Sequence, residues 1–398
     1  MMPGVLYISY DGMLEPLGQS QVLAYLTRLA VDRRIHLVTF EKAADWANVA
    51  ERARIARVIA DAGIVWHPLR YHKRPSALAT AWDIVCGFAV GLWQVMRHRL
   101  RLVHARSYVP SVIALALKWL TGVKFLFDMR GFWADEKVDG SHWPRDGRMY
   151  RVAKRFERRF LLAADHVVSL TQAAVREMTR FDYLQGCMPP ITVIPTCADL
   201  VSFTPLPRVH DGSGFVLGYV GTVGNWYLFD NVAVCFAQLL CMQPDARFLI
   251  VNRGEHAYIR ERLATAGVAA ESVEITTARH ADVPGHMARM DAGVFFIKPV
   301  YSKQASAPTK LAEFLGCGVP CLGNAGVGDM AEILEGERVG VALKSFDKAA
   351  LKHGLRQLLE LVADPATRAR CTAAAQRHFS LDEGVARYRS IYESITQC

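Results

Sequence analysis

The run Pro308-Thr309-Lys310-Leu311-Ala312-Glu313 carries residue types suited to gripping a nucleotide. A proline can fix the first turn of a helix, whose unpaired amides and positive dipole end meet an anion, and Thr309 and Lys310 stand beside them. One turn further on, Glu313 lies near the face shared with Thr309 and Lys310, where a carboxylate accepts hydrogen bonds from two ribose hydroxyls. Phosphate plus ribose predicts a nucleotide ligand. Without one, Glu313 and Lys310 would be solvated residues of a surface helix.

A second constellation is Asp128-Met129-Arg130-Gly131-Phe132-Trp133-Ala134-Asp135-Glu136, at the end of an apolar run. Aromatic faces stack on sugar CH groups while carboxylates take hydroxyls or a proton, so this segment reads as carbohydrate-facing. Asp128 is the candidate for orienting an acceptor hydroxyl, with Arg130 and Trp133 beside it; the plainer alternative is an Asp128–Arg130 pair that only ties the loop. Arg106 follows another such run and could bind a negatively charged sugar, acceptor or diphosphate, or be an ordinary surface arginine. Near the start, Tyr10-Asp11-Gly12 to Gly18-Gln19 follows the first strand, and its two glycines let backbone approach a ligand closely. It does not fit GxGxxG, which argues against a dehydrogenase. No DxD or HExxH metal motif and no G-x-S-x-G nucleophile occurs in a fitting context. Phosphate charge is therefore expected to fall to Lys, Arg and the helix dipole, with no metal cofactor.

These residues need a scaffold, and the chain of 398 residues is long enough for two domains with full cores. Apolar runs at 5–9, 35–40, 102–105, 124–128 and 166–170 alternate with helical stretches, and others follow at 215–220, 247–252, 273–276, 293–297 and 319–323. The expected class is α/β, with two Rossmann-like doubly wound domains facing across a cleft. The first is placed at 1–203, a polar linker at 204–213 and the second at 214–379, with a last helix at about 380–398.

The balance of 47 Lys and Arg against 38 Asp and Glu leaves a net charge of +9, which suits anionic partners. Nine scattered cysteines without metal-ligand spacing point to reduced thiols in the cytoplasm, and no signal peptide is read before the first strand. The apolar stretch Ala77 to Met96 is broken by Asp83, so a buried or interfacial helix is expected rather than a spanning one. Basic residues around Lys73-Arg74, Arg97 to Arg101 and Arg148 to Arg159 could meet an anionic membrane surface or form an ordinary solvated face.

The nucleotide motif, the glycine loop near the start, a second one at Gly218-Tyr219-Val220-Gly221-Thr222-Val223-Gly224 and the paired halves resemble the retaining GT-B glycosyltransferases, of the family 4-like, group 1 type, over nearly the whole length. The resemblance implies a hexosyltransferase-type enzyme that takes a nucleotide-diphosphate sugar and builds cell-surface polysaccharide or glycolipid on a lipid-linked saccharide acceptor. Nucleic acid is not an expected partner, and a peripheral place on the inner face of the cell membrane is implied. By the same resemblance Gly18, Gly221 and Thr222 belong to loops against the diphosphate, Arg253 and His280 lie near the base, and Asp11 stands on the acceptor side. Lys303 and Arg253 join Lys310 in neutralising the diphosphate, since Asn225, Trp226 and Tyr227 stand where relatives usually carry Arg and Lys. Catalytic roles fall to Asp128, Arg106, Lys310 and Glu313, and donor contacts extend over Pro308, Thr309 and Leu311. Two family acids eight positions apart flank the diphosphate site; Glu313 matches the second, but the first falls at Ala305, so the usual contact to the donor sugar is missing. The last helix is expected to cross back onto the first domain. The alternatives are a nucleotide-sugar epimerase on the same fold and a non-catalytic nucleotide-sugar binder.

Overall fold

A computed structural model describes residues 4–207 and 214–397 and divides into two compact units, 1–194 with 382–398 and 195–381. The division thus falls after Ile194 rather than after 203, because the segment beyond it packs with the second unit. Ala198 bridges Ser380 in parallel, and the backbone of Phe203 lies against Gly316. Of the expected linker, residues 208–213 lie outside the described residues.

The first unit holds a seven-stranded parallel sheet in the order β3-β2-β1-β4-β5-β6-β7. Its strands are Gly4–Ser9 (β1), Arg34–Glu41 (β2), Val65–Arg70 (β3), Leu102–Arg106 (β4), Lys124–Asp128 (β5), His166–Ser169 (β6) and Ile191–Val193 (β7). The second unit has a six-stranded parallel sheet, β10-β9-β8-β11-β12-β13, formed by Val216–Val220 (β8), Arg247–Val251 (β9), Val273–Thr276 (β10), Ala292–Val294 (β11), Cys321–Asn324 (β12) and Gly340–Leu343 (β13). Central strands buried on both faces explain the nearly continuous apolar runs. The three strands not anticipated are edge strands. β3 contains Pro68, which an edge tolerates because no neighbour needs its missing N–H.

In both sheets the strand order reverses once, between β1 and β4 and between β8 and β11. Open α/β sheets bind ligands at the carboxyl ends of the strands flanking such a reversal, because the connecting loops part there. Asp11 and Arg106 follow one reversal; Gly221 and the chain after Val294 follow the other.

The helix Ser76–His98 covers the first sheet, and of the described helices it alone has the length and apolarity to cross a membrane. Its buried side is packed too closely for a lipid-surrounded span. Gly87 lies where a Cβ would meet Ile113 and Phe40, and Asp83, fully buried, accepts from the Tyr10 hydroxyl at 2.8 Å and the His72 amide at 3.1 Å. The terminal helix Leu381–Gln397 packs in the first unit through Arg28–Asp382 at 3.2 Å and Arg33–Glu393 at 3.1 Å.

Next to β2, the rings of His36 and His67 stack at 5.7 Å, and His98 lies 4.4 Å from His36. Burial, with His98, His67 and Arg34 nearby, pushes His36 down to about 4, and burial also lowers His67. Both groups therefore favour the neutral form in the folded chain, and for His36 the contribution is present above the ordinary value of 6.5 and lost as pH falls towards 4. Urea melts should lose up to about 1.4 kcal/mol per pH unit through His36 in that window. His36→Phe should flatten the slope, and an equal slope in both proteins would reject this assignment.

Candidate functional site

The second unit carries the nucleotide motif. The helix Thr309–Gly316 begins one residue after Pro308, which is its N-cap rather than its first turn, and no side chain caps it. The amides of Thr309 and Lys310 are left to a ligand or water. Leu311 contributes little beyond core packing, since it is buried and its amide donates to the Pro308 carbonyl at 3.1 Å.

Lys310 is not the solvated lysine of a helix start. It is buried, with Nζ 3.6 Å from the Tyr227 ring centroid and 4.4 Å from that of Tyr219, and it donates at 3.3 Å to the Tyr219 hydroxyl and the Thr222 carbonyl. Gly221, at φ +101°, makes room: a Cβ there would stand 2.8 Å from Lys310 Cε. Burial takes the ammonium down to about 7, against the opposing pull of Glu313 and Glu255. Lys303 is likewise buried and holds its ammonium 3.8 Å from the Trp226 ring centroid. Trp226 and Tyr227, standing where cations were expected from the resemblance, are thus the aromatic shelf on which two lysines rest. The loop bearing them is bound to the chain after β11 by Lys298 N–Trp226 O at 3.0 Å and Leu228 N–Phe296 O at 2.9 Å.

Glu313 turns towards His280, with Oε1 to Nε2 at 3.1 Å, and this hydrogen bond raises the imidazole above its ordinary value. Arg253 is exposed and lines an open groove of about 490 Å³ together with Thr277, Arg279 and Asp282. Ala305 is buried at the end of the turn Tyr301–Ala305. Both glycine loops are braced by carboxylates. Val223 N donates to Glu255 at 3.0 Å, and in the first unit Met13 N and Leu14 N donate to buried Glu41 at 2.9 and 3.3 Å. The amides after Gly12 are therefore already taken, and Gly18 serves a backbone crossing, since a Cβ there would lie 2.0 Å from the Gly12 carbonyl.

In the first unit, Ser9, Arg106 and Asp128 stand in register across β1, β4 and β5, which puts them on one sheet face. Arg106 donates to Asp11 at 3.4 Å and lies 3.9 Å from Asp128, while Arg130 approaches Asp128 to 4.0 Å. Asp128 is almost fully buried and accepts from the Tyr388 hydroxyl of the terminal helix at 3.0 Å. Burial pushes its carboxyl up, but Arg130, His104 and Arg106 outweigh that and leave it below the ordinary range. It is an enclosed anchor, not an open carboxylate for an acceptor. The accessible acid is Asp11, whose side chain is 39% exposed. Asp128 Oδ1, Arg106 Nη1 and His104 Nε2 are buried without a close hydrogen bond among the described residues and face one another as an ion cluster, with His104 Nε2 3.5 Å and Arg106 Nη1 3.9 Å from Asp128 Oδ2. Trp133 is half-buried, edge-on to Trp143 at 5.1 Å, and Asp135 is spent on Tyr150 at 2.7 Å and Lys154 at 3.0 Å.

Residues 17–201 match the model of glycosyltransferase family 4 and residues 214–361 that of the group 1 glycosyl transferases, together most of the chain. The chain belongs to these glycosyltransferases and has their two-domain GT-B fold. Similar solved structures include a sucrose-phosphate synthase from Thermosynechococcus elongatus (14% identity, 99% of each chain covered, TM-score 0.73). HepE of Anabaena in complex with UDP-glucose aligns at 14% identity over 98% of this chain and 99% of that one, TM-score 0.67. The lipopolysaccharide outer core galactosyltransferase WaaB, in its apo form, aligns at 10% identity over 98% and 99%, TM-score 0.66. No curated protein matches the chain.

The unfolded chain keeps a lysine protonated up to the ordinary value of 10.5, whereas folded Lys310 gives up its proton near 7. The unfolded state binds more protons between those values, so stability rises with pH across the window and carries the full cost of the buried charge below it. Lys310→Met should therefore raise stability near neutral pH by on the order of 2–4 kcal/mol, a gain that shrinks as pH climbs. The same change should weaken nucleoside diphosphate binding. Urea melts over pH with calorimetry check both; a destabilised variant with unchanged affinity would contradict the account.

Proposed function

We propose that the protein is a retaining, metal-independent hexosyltransferase that moves a sugar from a nucleotide-diphosphate donor, a uridine one by analogy with HepE, to a saccharide acceptor. The observation that carries this reading is buried Lys310 beside an uncapped helix start, one turn before Glu313. An anion arriving there meets first-turn amides and an ammonium held ready on aromatic rings. Because burial lowers Lys310 to about 7, a diphosphate favours its charged form and the pair gains from each other. Glu313, within reach of His280, takes the ribose hydroxyls, and the Arg253 groove accommodates the base.

In the first unit Asp11, Arg106 and Arg130 orient the acceptor, and enclosed Asp128 aligns the two guanidiniums. The leaving diphosphate, stabilised by Lys310, Lys303 and Arg253, takes the acceptor proton as the new bond forms on the same face of the sugar. Proximity then supplies much of the rate. The carboxylate absent at Ala305 makes the donor sugar depend on other contacts for its selection. The acceptor is lipid-linked, on the cytoplasmic side of an anionic membrane, in a pathway to polysaccharide or glycolipid; WaaB, named for a lipopolysaccharide core, supports that class of product. A second reading, a nucleotide-sugar epimerase, is favoured by the shared fold of a putative UDP-N-acetylglucosamine 2-epimerase from Listeria monocytogenes, TM-score 0.59.

Time-resolved proton NMR of the anomeric signal, with uridine-diphosphate sugars and a saccharide acceptor, is the test. The first product should keep the donor's configuration; an inverted anomer rejects retention, and a C2-epimerised nucleotide sugar formed without transfer to the acceptor assigns the epimerase. Turnover should persist in excess chelator, and full loss restored by magnesium or manganese would reject metal independence.

Removing Glu313 strips the ribose of a charged acceptor and leaves His280 unpaired. Glu313→Ala should weaken nucleotide binding at least roughly tenfold without unfolding the chain. Unchanged calorimetric affinity would remove Glu313 from the site.

A further inference from the structure

We propose that the outer face of the Ser76–His98 helix is a monotopic docking surface for an anionic phospholipid bilayer. Leu78, Trp82, Val85, Trp93 and Met96 all project outward, from 56% exposed at Val85 to 72% at Leu78. They recur at helical spacing and form one stripe along the helix. The opposite side, Ala79, Asp83, Gly87, Gly91 and Val95, is buried against the sheet and the neighbouring helix. The helix is thus apolar on the face turned to solvent, the reverse of an ordinary surface helix.

Charge identifies the occupant. Exposed Arg70, Lys73 and Arg74 precede the helix, and exposed Arg97, Arg99 and Arg101 close it. The only carboxylate from residue 70 to residue 101 is Asp83, buried and bonded to Tyr10 and His72. A helix of this length runs roughly 33 Å, so two cationic clusters stand at the ends of an apolar rail without an exposed acid between them. That is the pattern of a helix lying in a headgroup layer: arginines and lysine on lipid phosphates, tryptophans at the interface, aliphatic side chains just below. The neighbouring helix Tyr108–Thr121 adds exposed Trp119 and Leu120 at the arginine end, since the strands that follow the two helices pair Leu102 with Lys124. A spanning orientation is excluded by the buried face. An acidic protein groove would match the charges, but it would leave a flat rail with two exposed tryptophans unexplained.

The surface deepens the reading of a membrane-borne acceptor, although the assay for it contains neither donor nor acceptor. Full-length protein is sedimented with vesicles of phosphatidylcholine alone and of phosphatidylcholine mixed with phosphatidylglycerol, at low and high salt. Binding should favour the mixed vesicles by roughly tenfold or more and weaken with salt. The pair Trp82→Gln with Trp93→Gln should bind roughly tenfold more weakly, and Arg97→Glu with Arg101→Glu should lose the preference for acidic lipid. Both variants should keep the nucleotide affinity of the parent, which shows that they fold. No binding at low salt, equal binding to both vesicles, or full binding by the tryptophan pair would overturn the proposal. A dimer in sedimentation velocity that the tryptophan pair dissolves would assign the face to a second copy and overturn it as well. Loss of sugar transfer with intact vesicle binding would instead count against the transferase reading alone.

Discussion

The placement of one ammonium inside the second unit organises much of what surrounds it. A buried lysine is costly unless its charge is received, and Lys310 has two aromatic faces, a hydroxyl and a carbonyl to receive it. Those partners come from β8 and the loop after it, so the charge fixes where that loop runs. Gly221 is small and at positive φ because the lysine stem passes over it. The aromatic pair Trp226 and Tyr227 occupies a stretch that would otherwise carry cations, and it positions two of them instead. On the proposed reading, an ammonium held this way is prepared for an anion before the anion arrives.

The glycine loops obey a related constraint. Backbone amides concentrated at the carboxyl edge of a parallel sheet need acceptors whether or not a ligand is present. Glu41 and Glu255 supply them, one in each unit, and each also touches the glycine of its loop: Glu41 stands 2.5 Å from where a Gly12 Cβ would be, Glu255 3.2 Å from that of Gly224. The loops are therefore braced by their own carboxylates. In the first unit the amides of Met13 and Leu14 are bonded in this way, and the positive charge nearby is that of Arg106 and Arg130 around Asp128.

Much was legible in the primary structure because parallel strands buried on both faces leave apolar runs. Ten strands, the α/β class, the two-unit plan and the spacing of Lys310 and Glu313 could be read along the chain, whereas Arg106, Asp128 and Arg130 could be named singly but were gathered only by the strand register. The edge strands were not legible, since Val65–Arg70 contains a proline and Ile191–Val193 is short and only half-buried. What remained for the tertiary structure was direction and enclosure. A carboxylate at a strand end looks the same whether it opens to solvent or is roofed by Tyr388, which arrives from 260 residues away. A helical apolar stretch likewise does not announce which of its faces the sheet will take. In the Ser76–His98 helix close packing selected the glycines and Asp83, and so left the tryptophans outside. Local chemistry and periodicity are properties of neighbours along the chain; burial, pairing and the titration of Lys310 depend on partners that only folding brings together.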